Sequence, residues 1–100
     1  MDSDKPDLII SDVVETTAGR DAGQWFYVID ADPVFLLLAN GKDRTLEKPK
    51  RKKRKHVQKV LRSETRVAVM LRSGDKVLNS ELRRDLAFHA KEMPANNLGG

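Results

Sequence analysis

Between Lys48 and Lys55 the chain reads K-P-K-R-K-K-R-K, seven cations in eight residues. These charges sit closer together than the ~10 Å Debye length at 0.1 M salt, so they repel one another. Any fold the chain adopts must carry that cost, and an anionic partner is the natural compensation. Phosphate backbones, acidic proteins and anionic membrane surfaces all qualify. The net charge of +4 hides how local this feature is. Residues 42–66 hold 12 of the 19 Lys and Arg but only 3 of the 15 Asp and Glu, a local charge of +9, and the other 75 residues sum to −5. The chain reads as an acidic protein with one very basic segment.

At 100 residues and 39% hydrophobic content there is material for one modest core and one domain. The longest apolar stretch, residues 33–39, has the length of a strand, far short of the ~20 residues of a membrane helix. The N-terminus carries Asp2, Asp4 and Asp7 and no apolar core, so no secretory signal is expected. With no cysteine, a disulfide framework and a thiolate metal site are excluded. A cytoplasmic, monomeric protein with no membrane partner is the expectation.

Residues 1–7 are polar and expected to be disordered. Residues 8–16 are rich in β-branched side chains and predict a first strand. A glycine-bounded loop, residues 17–23, leads to a second strand, Q-W-F-Y-V-I, which holds three of the five aromatics. Asp30, Asp32 and Pro33 mark a turn before a third strand over 34–39. Asn40-Gly41 is the dipeptide favoured in type I′ hairpins, so residues 43–48 are expected to pair back as a fourth strand that Pro49 ends. Residues 56–61 supply a fifth strand. Beyond them, Ser63 is a candidate cap for a helix carrying Val67, Met70 and Leu71 and stopping at Gly74. Val67 and Val69 also alternate, which leaves a strand open for residues 65–71. Asn79 caps a second helix with Leu82, Leu86, His89 and Met93 on one face, ending at Pro94. Residues 95–100 are expected to be a disordered tail. Five short strands in residues 8–61 followed by a helical extension over 62–94 suggest a small barrel with helices docked on it to enlarge its core.

The stretch T-A-G-R-D-A-G-Q-W-F-Y-V-I, residues 17–29, resembles the KOW motif of ribosomal proteins and transcription elongation factors. Gly19 and Gly23 match the loop glycines of that motif, and Arg20 and Asp21 its polar positions. Residues 39–58, A-N-G-K-D-R-T-L-E-K-P-K-R-K-K-R-K-H-V-Q, are similar to a narrower group with an E-K-P-K-x-K-K-x-K-H signature. This group is the bacterial KOW-domain RNA-binding proteins, themselves similar to the large-subunit ribosomal KOW proteins of archaea and eukaryotes. The segment S-G-D-K-V-L-N-S-E-L-R-R-D-L is similar to that group's helical tail. The resemblance implies a mainly β fold, a five-stranded SH3-like barrel followed by two short helices. It also implies ribosome-associated RNA binding on the large subunit, with ribosomal proteins as neighbours. The chain departs from the family at Thr17 and Ala22, where lysines are usual, and this shifts weight from the loop to the basic run. Phe26 stands where many KOW motifs have glycine, so the second strand is expected without their usual bend.

The basic run carries the chemistry most directly. Closely spaced cations on an extended segment match a phosphate backbone, and each contact releases counterions. Arg51 and Arg54 can fork onto a phosphate, while Lys48, Lys50, Lys52, Lys53 and Lys55 act as point charges. Lys42 and Arg44 extend the stripe along the hairpin, His56 closes it, and Arg20 adds a cation from the loop. On this reading, replacing Arg51, Lys52, Lys53 and Arg54 with Gln removes binding and leaves the fold intact. The same run also reads as a nuclear-import signal or as a solvated charge tail. A protein-interaction adaptor and a transcription elongation accessory remain open as alternatives, since both can use such a barrel. Trp25, Phe26 and Tyr27 are expected to be core and helix-docking residues, with base stacking as the rival role. His56 and His89 lack the companions of a metal site, the carboxylates are scattered, and no Walker loop occurs. Neither an enzyme nor a cofactor is expected.

Overall fold

A computed structural model describes residues 8–93. The expected disordered ends, residues 1–7 and 95–100, and the helix stop at Pro94 lie outside the described residues. Five strands, β1 (Asp12–Thr16), β2 (Trp25–Ala31), β3 (Phe35–Ala39), β4 (Lys50–Lys53) and β5 (Val57–Arg62), precede helices α1 (Arg66–Ser73) and α2 (Asn79–Glu92). A 3-10 turn, Arg54–His56, joins β4 to β5. The strands form one antiparallel sheet in the order β4-β3-β2-β1-β5. The barrel closure expected from the sequence is not made: β4 and β5 are the two edges, and no ladder joins them among the described residues. What stands is a small mainly-β fold with an open sheet followed by two helices.

Both faces of the sheet are covered. In β1 and β2 the register sets Val14 opposite Phe26 and Val13 opposite Tyr27. Because successive side chains point to opposite faces, these two pairs found two separate cores. Val14, Phe26, Val28, Leu36, Leu38 and Val57 pack with Leu8 on one face. Val13, Tyr27 and Ala39 pack on the other, under Val67, Leu82 and Leu86 of the helices and Val77 between them. Phe26 and Tyr27 are thus both fully buried, and Trp25 is half-buried, so the aromatics are core and helix-docking residues. At Phe26 the register with β1 is unbroken, and the irregularity in β2 falls later, between Val28 and Asp30, where it faces β3.

Several boundaries move from their expected places. The first strand is shorter than residues 8–16, because the chain turns at Ser11, which has φ 78°. Residues 43–48 are a looped connection and β4 begins only after Pro49, so the basic run is itself the fourth strand. Asn40 explains this. Its backbone is outside the positive-φ region that a type I′ turn demands, and its Oδ1 instead accepts the N–H groups of Lys42 (2.9 Å) and Arg44 (3.1 Å). Residues 65–71 fall mainly in helix α1, capped by Thr65, whose Oγ1 accepts from the Ala68 N–H at 3.3 Å, and not by Ser63. Leu78, not Asn79, occupies the cap of α2, and the Glu81 carboxylate turns back to accept its N–H at 2.9 Å. The fifth strand begins one residue later than expected and runs to Arg62. No described helix is long and apolar enough to cross a membrane. The Cα radius of gyration, 13.0 Å, is that of a compact domain of this length.

Candidate nucleic-acid interface

Strand β4 hydrogen-bonds to β3 alone, with Lys50 opposite Leu38, Arg51 opposite Leu37, Lys52 opposite Leu36 and Lys53 opposite Phe35. Leu36 and Leu38 are buried in the Phe26 core, so Lys50 and Lys52 share that inner side. Their stems lie over the core's rim, half-buried, and their ammonium groups reach one carboxylate, Asp21. Lys50 Nζ lies 3.1 Å from Asp21 Oδ2, and Lys52 Nζ 3.3 Å from Oδ1. Lys52 also donates to the Ala18 carbonyl at 2.8 Å. Burial pushes the Asp21 carboxyl up, but hydrogen bonds and charge from Lys50 and Lys52 outweigh it and hold the group below its ordinary value.

Asp21 stands at the tip of the glycine-bounded loop. The loop is fastened by Gly23 N–H to Thr16 O (2.7 Å), Gln24 N–H to Asp21 O (3.0 Å) and a hydrogen bond from the Thr16 hydroxyl to the Asp21 carbonyl. Gly23 sits at φ 92°, a conformation that side chains rarely adopt, which is the physical need for glycine there. The loop and the inner face of β4 are thus bound together by the protein's own charges.

The outer face of β4 differs. Arg51 and Lys53 are exposed, and the Arg51 guanidinium lies 3.6 Å from the centroid of the Phe35 ring, a cation–π contact. Lys55, in the 3-10 turn, is exposed too. No carboxylate pairs with Arg51, Lys53 or Lys55 among the described residues. Arg54 turns inward, donating from Nε to the Asp32 carbonyl (2.7 Å) and from Nη2 to the Leu8 carbonyl (3.4 Å). The nearby Asp32 carboxyl is held low by the N–H groups of Phe35 and Val34, with smaller help from the charges of Arg51 and Arg54. His56 is half-buried, and its carbonyl accepts the Thr17 N–H at 2.8 Å.

Arg20, Lys42, Arg44 and Lys48 are all exposed. Arg20 and Arg44 line one cleft with Lys50, alongside Asp21 and Asp43. The structure therefore sorts the sequence candidates. Arg51, Lys53, Lys55, Arg20, Lys42, Arg44 and Lys48 face solvent, whereas Lys50, Lys52 and Arg54 are committed to internal contacts. Replacing Arg51, Lys52, Lys53 and Arg54 together would for that reason loosen the loop and the 3-10 turn as well as remove surface charge. The sequence reading missed Asp21 as a counterion. Its only signal is an aspartate between two glycines and a K-x-K pattern elsewhere.

A second polar cluster lies under the helices. The buried Tyr27 hydroxyl donates to Asp85 and lies 2.9 Å from Ser63 Oγ, which in turn lies 2.9 Å from His89 Nε2. Asp85 Oδ2 also accepts from the Thr65 hydroxyl at 2.8 Å. Burial, with the Asp85 carboxylate beside it, pushes the Tyr27 hydroxyl far above its ordinary value. Ser63 and Asp85 approach the same ring nitrogen of His89, and Ser63 is only 1% exposed. A nucleophilic triad instead has its serine and carboxylate on opposite ring nitrogens and an accessible hydroxyl. This cluster ties α2 to β2. Among the described residues no group of His, Asp and Glu is placed to hold a metal ion.

No known family model matches the chain, and no curated protein does. The reading of the basic surface therefore rests on its geometry and charge, together with the resemblance noted above.

Proposed function

We propose that this protein binds RNA through the outward cations of β4 and the turn that follows it, and that it does so in association with the large ribosomal subunit. The observation that carries the reading is the sorting of the basic run. Strand alternation turns Lys50 and Lys52 onto Asp21 and leaves Arg51 and Lys53 exposed; Lys55 is exposed in the turn that follows, and among the described residues no carboxylate lies within ion-pair distance of these three. Lys50, Lys52 and Arg54 build the scaffold, and Lys48, Arg51, Lys53 and Lys55 are left for an external polyanion. The Arg51 guanidinium sits over the Phe35 ring on the exposed side of β4, a cation–aromatic pair that an unpaired base can join, a contact RNA offers and a lipid headgroup does not.

On this reading the scaffold is a KOW-type relative of the SH3-like barrel whose edge strands β4 and β5 are not joined. Support comes from the strand order, which puts β4 and β5 at opposite edges with a three-residue turn between them, so that curling the sheet brings its edges toward each other. RNA recognition then follows shape and unpaired bases, with phosphate contacts fixing register.

The test is filter binding of polyuridylate and of a folded large-subunit ribosomal RNA transcript across a salt series. With roughly four phosphate contacts, log K falls against log salt with a slope near −3. The Arg51→Gln, Lys53→Gln, Lys55→Gln triple variant loses roughly 100-fold in affinity at 0.1 M salt and keeps its circular dichroism spectrum. A flat salt response, or equal competition by poly-L-glutamate, overturns the RNA reading. Co-sedimentation with ribosomal subunits supports the ribosomal assignment, and co-purification with RNA polymerase instead replaces it.

A further inference from the structure

We propose that the RNA-binding surface continues past β4 onto helix α2, where Lys42, Arg83 and Arg84 form a second groove for the phosphodiester backbone. The inference rests on the RNA reading above and extends it to Arg83 and Arg84, which lie in the acidic remainder of the chain. Leu82, Leu86 and His89 of α2 are buried against the sheet, which turns Arg83, Arg84 and Ala87 outward. Lys42, Ser80, Arg83, Arg84 and Ala87 together line an open groove with no carboxylate among its lining residues. Ser80 and Ala87 are small, so the cations are not screened by bulky neighbours.

The carboxylates of α2 near this groove are occupied elsewhere. Asp85 accepts from Tyr27 and Thr65 in the core, and Glu81 accepts the Leu78 N–H and pairs with Arg66. Asp43, next to Lys42 in sequence, accepts from Asn40 Nδ2 at 2.9 Å and feels the charges of Arg44 and Lys42. None of the three groove cations has an ion-pair partner among the described residues.

Lys42 is held at the groove by its backbone. Arg83 Nη1 donates to the Gly41 carbonyl at 2.7 Å, and the Leu46 N–H donates to Asn79 Oδ1 at 2.8 Å. The same connection carries Arg44 into the cleft shared with Arg20 and Lys50. The loop between β3 and β4 thus carries cations both to that cleft, which Asp21 and Asp43 also line, and to the groove on α2. A phosphodiester backbone fits a groove of cations without a carboxylate, and such a groove offers little to an apolar protein face.

The experiment uses the full chain with Lys42→Gln and Arg84→Gln together, leaving Arg83 to hold Gly41. Polyuridylate binding is measured from about 0.05 to 0.3 M salt. Affinity is expected to fall roughly tenfold at 0.1 M salt, and the slope of log K to become shallower by about 1.5, with thermal unfolding unchanged. The charge-preserving pair Lys42→Arg and Arg84→Lys is expected to restore both. Wild-type affinity and slope in the Gln variant, while the Arg51, Lys53, Lys55 variant loses binding, overturns this inference and leaves the RNA reading standing. Failure of the charge-preserving pair to restore binding also overturns it. Absence of polyuridylate binding by the unaltered chain overturns both.

Discussion

Strands β2 and β4 obey the same alternation and reach opposite outcomes. In β2, Phe26 enters one core and Tyr27 the other, so both faces are covered by the protein itself. In β4, Lys50 and Lys52 close over a core rim while Arg51 and Lys53 stay in solvent. The difference comes from position in the sheet. A central strand beneath helices has two interior faces, and an edge strand outside them has one. A run of like charges becomes tolerable at an edge because every second cation finds an internal partner.

The comparison is easiest to break at Gly41, on the route from β3 to β4. Gly41 has φ 77°, and a Cβ there would lie 2.3 Å from the Asn79 carbonyl oxygen. Gly41→Ala is expected to cost about 3 kcal/mol in urea unfolding, combining left-handed strain with a backbone clash. If the ladder with β3 alone positioned β4, only the left-handed strain of about 1–2 kcal/mol would remain. The next effect belongs to the inner face of β4. Asp21→Asn removes the carboxylate shared by two half-buried lysines, at about 2 kcal/mol at pH 7. Because the folded-state pKa of Asp21 lies below the ordinary 3.8, this contribution is whole at neutral pH and is lost as pH falls through the folded value. The gap between wild type and variant should therefore narrow as pH falls below the ordinary carboxylate range, and a gap that does not narrow at all on acidification refutes the assignment. The smallest effect belongs to β2. Tyr27→Phe deletes a buried hydroxyl between Asp85 and Ser63 and should cost about 1 kcal/mol, read from the same urea titration. A neutral outcome would mean that the Tyr27 hydroxyl adds nothing net to the hold on α2.

The strands most visible in the sequence are those with a β-branched or aromatic reason to exist, and β1, β2, β3 and β5 lie close to where such residues place them. β4 was hidden because lysine and arginine carry no strand signal of their own, while Asn40-Gly41 advertised a tight hairpin. The side chain of Asn40 overrode that signal by binding the loop from within, which no dipeptide rule contains. Helix caps failed for a related reason: Ser63 is drawn to Tyr27 and His89, and Asn79 to Leu46 and Glu47, partners distant in sequence. The candidate site was legible as a set of cations. Its division into inward and outward members depends on strand phase, which the misplaced β4 concealed. Arg83 and Arg84 sat in plain view, yet only the docking of α2 brings them beside Lys42.

The close seat of Gly41 on the first turn of α2 also has a bearing on how the chain matures. During synthesis from the N-terminus, all five strands emerge before Asn79 and Arg83, the residues that clamp the β3–β4 connection. The nascent sheet can assemble early, but its charged edge acquires a fixed outline only when α2 arrives. The shape of that edge is in this way deferred until α2 has been synthesised.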